Sequence, residues 1–225
     1  MPLTAVPTIA IDGPSASGKG TVAQRVAQAL GFHYLDSGAL YRLSALAAES
    51  GHVALDDEPM LARLASNLDI EFAGDRIFLA RQDVSNAVRS EACGVNASRI
   101  AAFPQLREAL LQKQRDFKRL PGLVADGRDM GSVVFPDADL KVFLTATAGA
   151  RAERRTKQLI EKGMYAKIQD VIEELERRDL RDSSRPVAPL KHYPDAKLLD
   201  TTQLSVEQAA KQVIDWYREL PSVSR

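Results

Sequence analysis

Short apolar runs alternate along this chain with longer stretches of helical periodicity. The run TIAID at 8–12 is apolar and β-branched, and further apolar runs occur at 122–126, 140–146 and 197–202, with a short one near 33–36. Such runs predict buried strands. The spacing of apolar residues in GTVAQRVAQAL, at 20–30, predicts a helix between the runs at 8–12 and 33–36. Strands that alternate with helices predict a parallel sheet with helices on both faces.

Two segments do not fit this alternation. The stretch at 68–85, LDIEFAGDRIFLARQDVS, alternates apolar and polar residues on either side of a Gly-Asp turn, which predicts a small antiparallel hairpin and leaves a third strand open. A charged tract from 150 to about 185 has helical spacing. Further helices are expected after Asp36 or Ser37 as the N-cap, at 58–67, from Pro104 onward and at 206–220.

The stretch AIDGPSASGKGTV at 10–22 carries the first candidate chemistry. Its glycines allow backbone angles that a side chain would forbid, so successive N–H groups can turn inward and bind phosphate beside a helix N-terminus. Strand, glycine-rich loop and helix form the context of the phosphate-binding P-loop. Lys19 is expected to reach the β- and γ-phosphates and Thr21 to lie near Mg²⁺. The predicted nucleotide-binding residues are Gly13, Pro14, Ser15, Ala16, Ser17, Gly18, Lys19, Gly20 and Thr21.

Length, charge and composition narrow the class of protein. The chain has 225 residues, a formal net charge of zero and 45% hydrophobic residues, which suits one α/β domain with insertions. Zero net charge argues against nucleic acid as a main partner. The sequence has no apolar run of about 18 residues and no signal-peptide pattern. Cys93 is its only cysteine. We therefore expect a cytoplasmic protein without membrane partners.

Two polar clusters follow predicted strands. In DSGALYR at 36–42, Arg42 beside hydroxyl groups at a helix start would suit a phosphate on a second ligand, although an ordinary capped helix with a surface arginine fits equally well. In ADGRDMG at 125–131, Asp126 closes an apolar strand, which is where an acidic residue meets Mg²⁺ near a P-loop. Arg128 and Asp129 would then stand at the carboxyl edge of the sheet, where ligands bind in such folds.

The remaining clusters lie in predicted helices. Ser98 and Arg107 could reach the edge of a base, but the pattern alone favours solvated positions for both. The residues Arg178, Arg181, Asp182 and Arg185 fall at i, i+3, i+4 and i+7, so they share one helix face while the helix lasts. A solvated charged face is the ordinary interpretation of such a run. Several arginines on one helix face are also suited to bind phosphate groups. Beside a P-loop, they favour a mobile lid that closes over the phosphates during transfer.

These motifs together resemble one family. GPSASGKGT, DSGALYR, ADGRDMG and RDLRDSSRPVAPL, in this order and spacing, are similar to the motifs of bacterial cytidylate kinases. The resemblance covers nearly the whole chain and implies a P-loop nucleoside monophosphate kinase fold in a single domain, 1–225. It further implies a monophosphate-binding region at about 36–118 that contains the β insertion at about 68–85, and a short helical lid at about 150–185.

The resemblance also implies an activity and roles for individual residues. The activity is phosphorylation of CMP and dCMP by ATP with Mg²⁺, by a monomer. The residues implied around the acceptor phosphate are Ser37, Tyr41, Arg42, Arg128 and Arg185. Those implied near cytosine are Ser98, Arg107 and Asp129, and those near the ribose are Arg178 and Asp182. Arg154 is implied at the ATP site, Thr21 and Asp126 at the metal through water, and Lys19, Arg128, Arg178 and Arg185 in catalysis.

One departure and three alternatives accompany this resemblance. Ala16-Ser17 stands where the family more usually has Gly-Ala, and because the backbone amides remain, we expect little change in binding. A GTPase switch would need Asn-Lys-x-Asp, and the chain contains no Asn-Lys pair. A shikimate- or nucleoside-type kinase would share the loop without needing so many arginines. A non-catalytic nucleotide-binding regulator stays open at this stage.

Overall fold

The computed structural model describes residues 6–73, 76–161, 163–221 and 223. Its strands are β1 (Thr8–Asp12), β2 (His33–Asp36), β3 (Ile70–Ala73), β4 (Arg76–Leu79), β5 (Gln82–Asp83), β6 (Leu123–Gly127), β7 (Leu140–Thr145) and β8 (Lys197–Asp200). Its helices are α1 (Lys19–Leu30), α2 (Ser37–Ser50), α3 (Glu58–Ser66), α4 (Ser85–Val88), α5 (Glu91–Ile100), α6 (Pro104–Arg115), α7 (Ala148–Glu161), α8 (Ile168–Ser183) and α9 (Val206–Arg218). A π-helical turn spans Met130–Val134. The chain forms two compact units, one from Met1–Leu35 with Phe117–Arg225 and one from Asp36–Asp116.

The first unit is built on a five-stranded sheet in the order β2-β6-β1-β7-β8. The central strand β1 pairs in parallel with β6 and β7, and β7 pairs in parallel with β8. Ile9 and Ile11 of β1 pack in one core with Val26 of α1 and Val213 of α9. The buried apolar runs of the sequence are therefore the strands of the sheet, which confirms the predicted α/β core.

The charged tract forms two helices where the sequence predicted one continuous region. Helices α7 and α8 pack through a small core that includes Leu159 and Leu175. Helix α8 ends at Ser183, so the predicted charged face stops at Asp182 and does not extend to Arg185. The physical reason is Pro186, because the residue before a proline is disfavoured in the helical region.

The second unit combines helices α2 to α6 with a three-stranded antiparallel sheet in the order β3-β4-β5. The predicted hairpin is confirmed and has its third strand, while its Gly-Asp turn at 74–75 lies outside the described residues. Of the two predicted N-caps, Asp36 caps α2, since its Oδ1 accepts from the Ala39 N–H at 3.1 Å. Pro104 is the first residue of α6, as predicted.

The tight turn between β4 and β5 carries backbone strain. Ala80 and Arg81 both have positive φ angles, 47° and 64°, in a position where hairpins favour Asn-Gly. A left-handed residue other than glycine costs about 1–2 kcal/mol. We therefore expect Arg81→Gly to raise the free energy of unfolding by about 1 kcal/mol, after the greater unfolded-state entropy of glycine is subtracted.

Thermal denaturation measures this effect, with an expected rise in Tm of about 2–4 °C. Arg25→Gly is the matched control, because Arg25 is exposed in the middle of helix α1, where glycine is unfavourable by about 1 kcal/mol. The two substitutions should shift Tm in opposite directions. A loss of stability in Arg81→Gly as large as that in Arg25→Gly would contradict strain at the turn.

Candidate active site

The loop between β1 and α1 has the geometry of an anion-binding turn. Gly13 passes so close to β7 that an added Cβ would lie 2.0 Å from the Leu144 carbonyl oxygen, so no other residue fits there. Gly18 has a φ of +91° and precedes α1, whose N-terminus receives no side-chain cap from the described residues. Lys19 begins the helix, and its Nζ donates to the Pro14 carbonyl at 3.3 Å. The lysine thus folds back over the loop that it was predicted to serve.

The unusual Ala16-Ser17 pair has a structural consequence. Ala16 has a φ of +58°, in the left-handed region that glycine occupies without a steric penalty. An alanine there costs about 1–2 kcal/mol, so the loop of this chain is strained where the more usual glycine would not be. The Ser17 hydroxyl is buried and has no hydrogen-bond partner within the described residues. The expectation that this pair leaves binding little changed stays a prediction.

Ser15 is held by three charged side chains from three parts of the first unit. The Arg128 Nη2 donates to Ser15 Oγ at 2.8 Å, and the Arg151 Nη1 donates to the Ser15 carbonyl at 3.1 Å. The Ser15 N–H donates to the Asp179 Oδ1 at 3.3 Å, and Asp179 also pairs with Arg151. The sequence did not indicate Asp179, and Arg151 was only one of several charged residues in its tract.

Arg154 joins the loop to the end of the last strand. Its Nη1 donates to the Ser17 carbonyl and to Thr201 Oγ1, both at 3.1 Å, and the Thr201 hydroxyl contacts the same carbonyl at 3.1 Å. These residues border a cleft of about 300 Å³ that also reaches Gly18 and Thr21. The location agrees with the predicted place of Arg154 beside a bound nucleotide, a role that stays a prediction.

The predicted metal residues lie at the same edge of the sheet. Asp126, near the end of β6, is buried and accepts from the Tyr34 hydroxyl at 2.7 Å. A Cβ built on Gly20 would lie 3.7 Å from the Asp126 Oδ2, so this carboxylate faces the first turn of α1. A carboxylate and the Thr21 hydroxyl are hard oxygen donors of the kind that Mg²⁺ accepts. In the described part of the chain, no cluster of three acidic, histidine or cysteine side chains could hold a metal ion.

Arg128 and Asp182 form a largely buried ion pair. The Arg128 Nε donates to Asp182 Oδ2 at 2.8 Å, and Arg128 thereby joins the end of β6 to helix α8. Burial alone would raise the pKa of Asp182, but the charges of Arg128, Arg178 and Arg185 outweigh it and lower that pKa. The structure therefore brings together four residues that were predicted around the acceptor. They are Arg128 and Asp182, which bind each other, with Arg178 and Arg185 beside them.

Asp12 is a site residue that the sequence did not reveal. It ends β1 directly before the loop, and its two carboxylate oxygens accept from the N–H groups of Met130 and Gly131 at 2.8 and 2.9 Å. Burial raises the pKa of Asp12 to about 6, although these two hydrogen bonds oppose the shift. Asp12 thus fixes the π-helical turn that follows Arg128 and Asp129. An acidic residue between an apolar strand and Gly13 was the only available signal.

The second unit contains the other predicted ligand residues. Ser37, Tyr41, Ser98 and Arg107 are all buried, which makes a solvated position for the last two wrong. The Arg107 guanidinium lies 5.9 Å from the centre of the Tyr41 ring, and its Nη1 donates to the Ala101 carbonyl at 3.2 Å. The Ser98 hydroxyl has no hydrogen-bond partner among the described residues. Arg42 is half-buried and hydrogen-bonded to backbone carbonyls, so it is not an ordinary surface arginine.

A parallel sheet with a P-loop after its first strand, a lysine over that loop and arginines around it define a P-loop kinase. The family model described as cytidylate kinase matches residues 9–219. The chain belongs to this cytidylate kinase family and is a phosphotransferase. It is 58% identical over 215 residues to a cytidylate kinase of Cupriavidus necator, covering 96% of this chain and 97% of that one.

Two further proteins are similar to this chain, one in sequence and one in fold. A cytidylate kinase of Chromobacterium violaceum is 58% identical over 214 residues, which are 95% of this chain and 96% of the other. A crystal structure of an uncharacterized protein from Eubacterium ventriosum is similar in fold alone, with a TM-score of 0.50 at 13% identity over 95% of this chain and 99% of that one. Among the described residues, no helix has the length and apolar character that crossing a membrane requires.

Proposed function

We propose how the residues of this chain carry out the reaction of its family, the ATP-dependent phosphorylation of CMP and dCMP. The observation that carries the proposal is the P-loop with Lys19 folded over it, held at Ser15 by Arg128, which also binds the lid helix α8 through Asp182. One arginine thereby joins the phosphate loop to the predicted lid. Such an arrangement suits transfer of a phosphoryl group between two phosphates better than simple nucleotide storage.

The donor half of the site is formed by the loop and by Arg154. The N–H groups of residues 13 and 15–21 and the Lys19 ammonium group bind the β- and γ-phosphates of ATP, and the cleft beside Arg154 receives the rest of the nucleotide. Thr21 and Asp126 would hold Mg²⁺, with water between the ion and Asp126. When bound, that ion would neutralise charge on the phosphate oxygens.

The residues proposed to bind the acceptor follow from the family resemblance of their motifs. In the second unit, Ser37, Tyr41 and Arg42 bind the acceptor phosphate, and the buried Ser98 and Arg107 contact cytosine. In the first unit, Arg128 and Arg185 bind the phosphate and Asp129 contacts cytosine. Arg178 and Asp182 contact the ribose. The support is chemical, since guanidinium groups match phosphate oxygens and a buried hydroxyl without a partner favours a polar ligand.

The chemistry needs positioning more than it needs a reactive side chain. An oxygen of the acceptor phosphate is already a nucleophile, so no covalent intermediate with the protein forms. Lys19, Arg128, Arg178 and Arg185 offset the negative charge that develops during transfer. Closure of the lid at about 150–185 excludes water, which would otherwise hydrolyse ATP.

The proposal extends to the state of the protein in the cell. We propose a cytoplasmic monomer whose ligands are small nucleotides, without nucleic-acid or membrane partners. The formal net charge of zero supports this, because it offers no attraction to a polyanion. Light scattering after size-exclusion chromatography would give a mass near 24.6 kDa for a monomer and twice that for a dimer.

ADP formation from ATP tests the proposed function directly. We expect ADP release to depend on CMP or dCMP, with hydrolysis in their absence lower by about 10²-fold or more, because an incomplete site leaves the lid open. Coupled spectrophotometry with and without CMP makes the measurement. ADP formed only with a non-nucleotide acceptor would favour a shikimate- or nucleoside-type kinase, and nucleotide binding without turnover would favour a regulator.

A further inference from the structure

The Arg42 side chain is fixed by the backbone that joins α4 to α5. Its Nη1 donates to the Val88 carbonyl at 2.8 Å and to the Ser90 carbonyl at 3.0 Å. Val88 is the last residue of α4, and Ser90 is the N-cap of α5. One guanidinium nitrogen therefore uses both of its hydrogen atoms on backbone carbonyls, which holds the plane of the group in place.

Gly94 lies directly against this guanidinium group. A Cβ built on Gly94 would lie 2.7 Å from the Arg42 Nη2 and 3.1 Å from its Cζ and Nη1. These distances are shorter than carbon and nitrogen atoms tolerate without moving. The group that would move is the end of a flexible side chain, whereas the helix backbone would stay. Any side chain at position 94 would therefore push Arg42 away from its two carbonyls.

We propose that Gly94 is a positioning residue for Arg42. Because Gly94 has no side chain, the Arg42 guanidinium can stay on its two carbonyls and bind the acceptor phosphate from there. The hydrogen bonds to Val88 and Ser90 use Nη1 and not Nε or Nη2, and the guanidinium group also lies within hydrogen-bond reach of the Cys93 side chain. The N–H bonds of Nε and Nη2 run in parallel on one side of the group, which is the pair of donors that binds two phosphate oxygens at once. This inference rests on the proposed role of Arg42 and adds a residue that never touches the substrate.

Gly94→Ala tests the inference because it adds only a methyl group. We expect kcat/KM for CMP to fall about tenfold with KM for ATP unchanged, since displacement weakens a charge-assisted hydrogen bond without deleting it. Tm should fall by only a few degrees, because the gain of alanine over glycine inside a helix offsets part of the cost of the two carbonyl hydrogen bonds that Arg42 loses. Gly149→Ala in α7 is the matched control. Its added Cβ meets no other atom within 4 Å, so the kinetics with CMP should not change.

Variants of Arg42 separate this inference from the function on which it rests. Wild-type kcat/KM for CMP in Arg42→Ala would refute the role of Arg42 itself. If Arg42→Ala lowers kcat/KM for CMP but Gly94→Ala does not, the positioning role of Gly94 is refuted and the role of Arg42 is not. In the Arg42→Ala background, Gly94→Ala should cause no further loss, because both act through one guanidinium. A further loss of kcat/KM in this double variant would overturn the inference. So would a Gly94→Ala enzyme whose Tm falls by more than a few degrees and whose kinetics with CMP and with ATP are impaired equally.

Discussion

Replacement of Lys19 by alanine should lower kcat by about 10²–10³, the typical effect of removing one preorganised electrostatic group from an active site. Lys19 supplies the cation of the phosphate loop, and its Nζ already lies 3.3 Å from the Pro14 carbonyl. When the phosphoryl group is in transit, negative charge is spread over oxygens that the lysine is proposed to contact. The backbone amides remain in the variant, so binding of ATP should be weakened less than turnover.

The measurement is steady-state kinetics with Mg-ATP and CMP, together with circular dichroism to show that the variant is folded. Lys211→Ala is a suitable control, since Lys211 is an exposed lysine in helix α9 that pairs with Asp215. It should keep wild-type kinetics. Turnover near the wild-type rate in a folded Lys19→Ala enzyme would remove this lysine from the proposed mechanism.

The parts of the fold that depend on neighbouring residues were predictable from the sequence. An apolar strand and the glycine at 13 predict the loop, because both signals lie within a few residues of each other. The same holds for the hairpin at 68–85, where alternation and turn residues are contiguous. The end of α8 at Ser183 was predicted less well, although Pro186 offered a local signal.

The parts of the site that depend on distant residues were not predictable in the same way. Ser15 is bound by Arg128 and Arg151, which follow it by 113 and 136 residues. Asp12 binds the amides of Met130 and Gly131 across 118 and 119 residues. Hydrophobic periodicity places strands in a sheet but does not say which loops meet at its edge. Motifs therefore predict a set of site residues, and the structure adds the long-range contacts of the first unit, including those of Asp12 and Asp179, that the motifs do not predict.

The second large effect concerns the choice of base. We expect kcat/KM to be about 10²-fold higher for CMP than for UMP, with purine monophosphates poorer still. Cytosine carries a ring-nitrogen acceptor, a carbonyl acceptor and an amino donor, which suit Arg107 and the carboxylate of Asp129. Uracil has a carbonyl in place of the amino group, so two acceptors would face each other without a proton. Such a mismatch can cost up to about 10⁴–10⁵ in a closed site, and a bridging water reduces the cost.

Asp129→Asn makes this expectation specific to one residue. The asparagine amide can turn its NH₂ group toward the uracil carbonyl, so the preference for CMP over UMP should fall to within about tenfold. Asp137→Asn is the control, because Asp137 is exposed and binds Lys118, and it should leave the ratio unchanged. Equal kcat/KM for UMP and CMP in the wild type would refute the assignment of the base-contacting residues. A higher kcat/KM for AMP or GMP than for CMP would also refute the proposed recognition of cytosine by Arg107 and Asp129. A purine is larger and has a different arrangement of donors and acceptors.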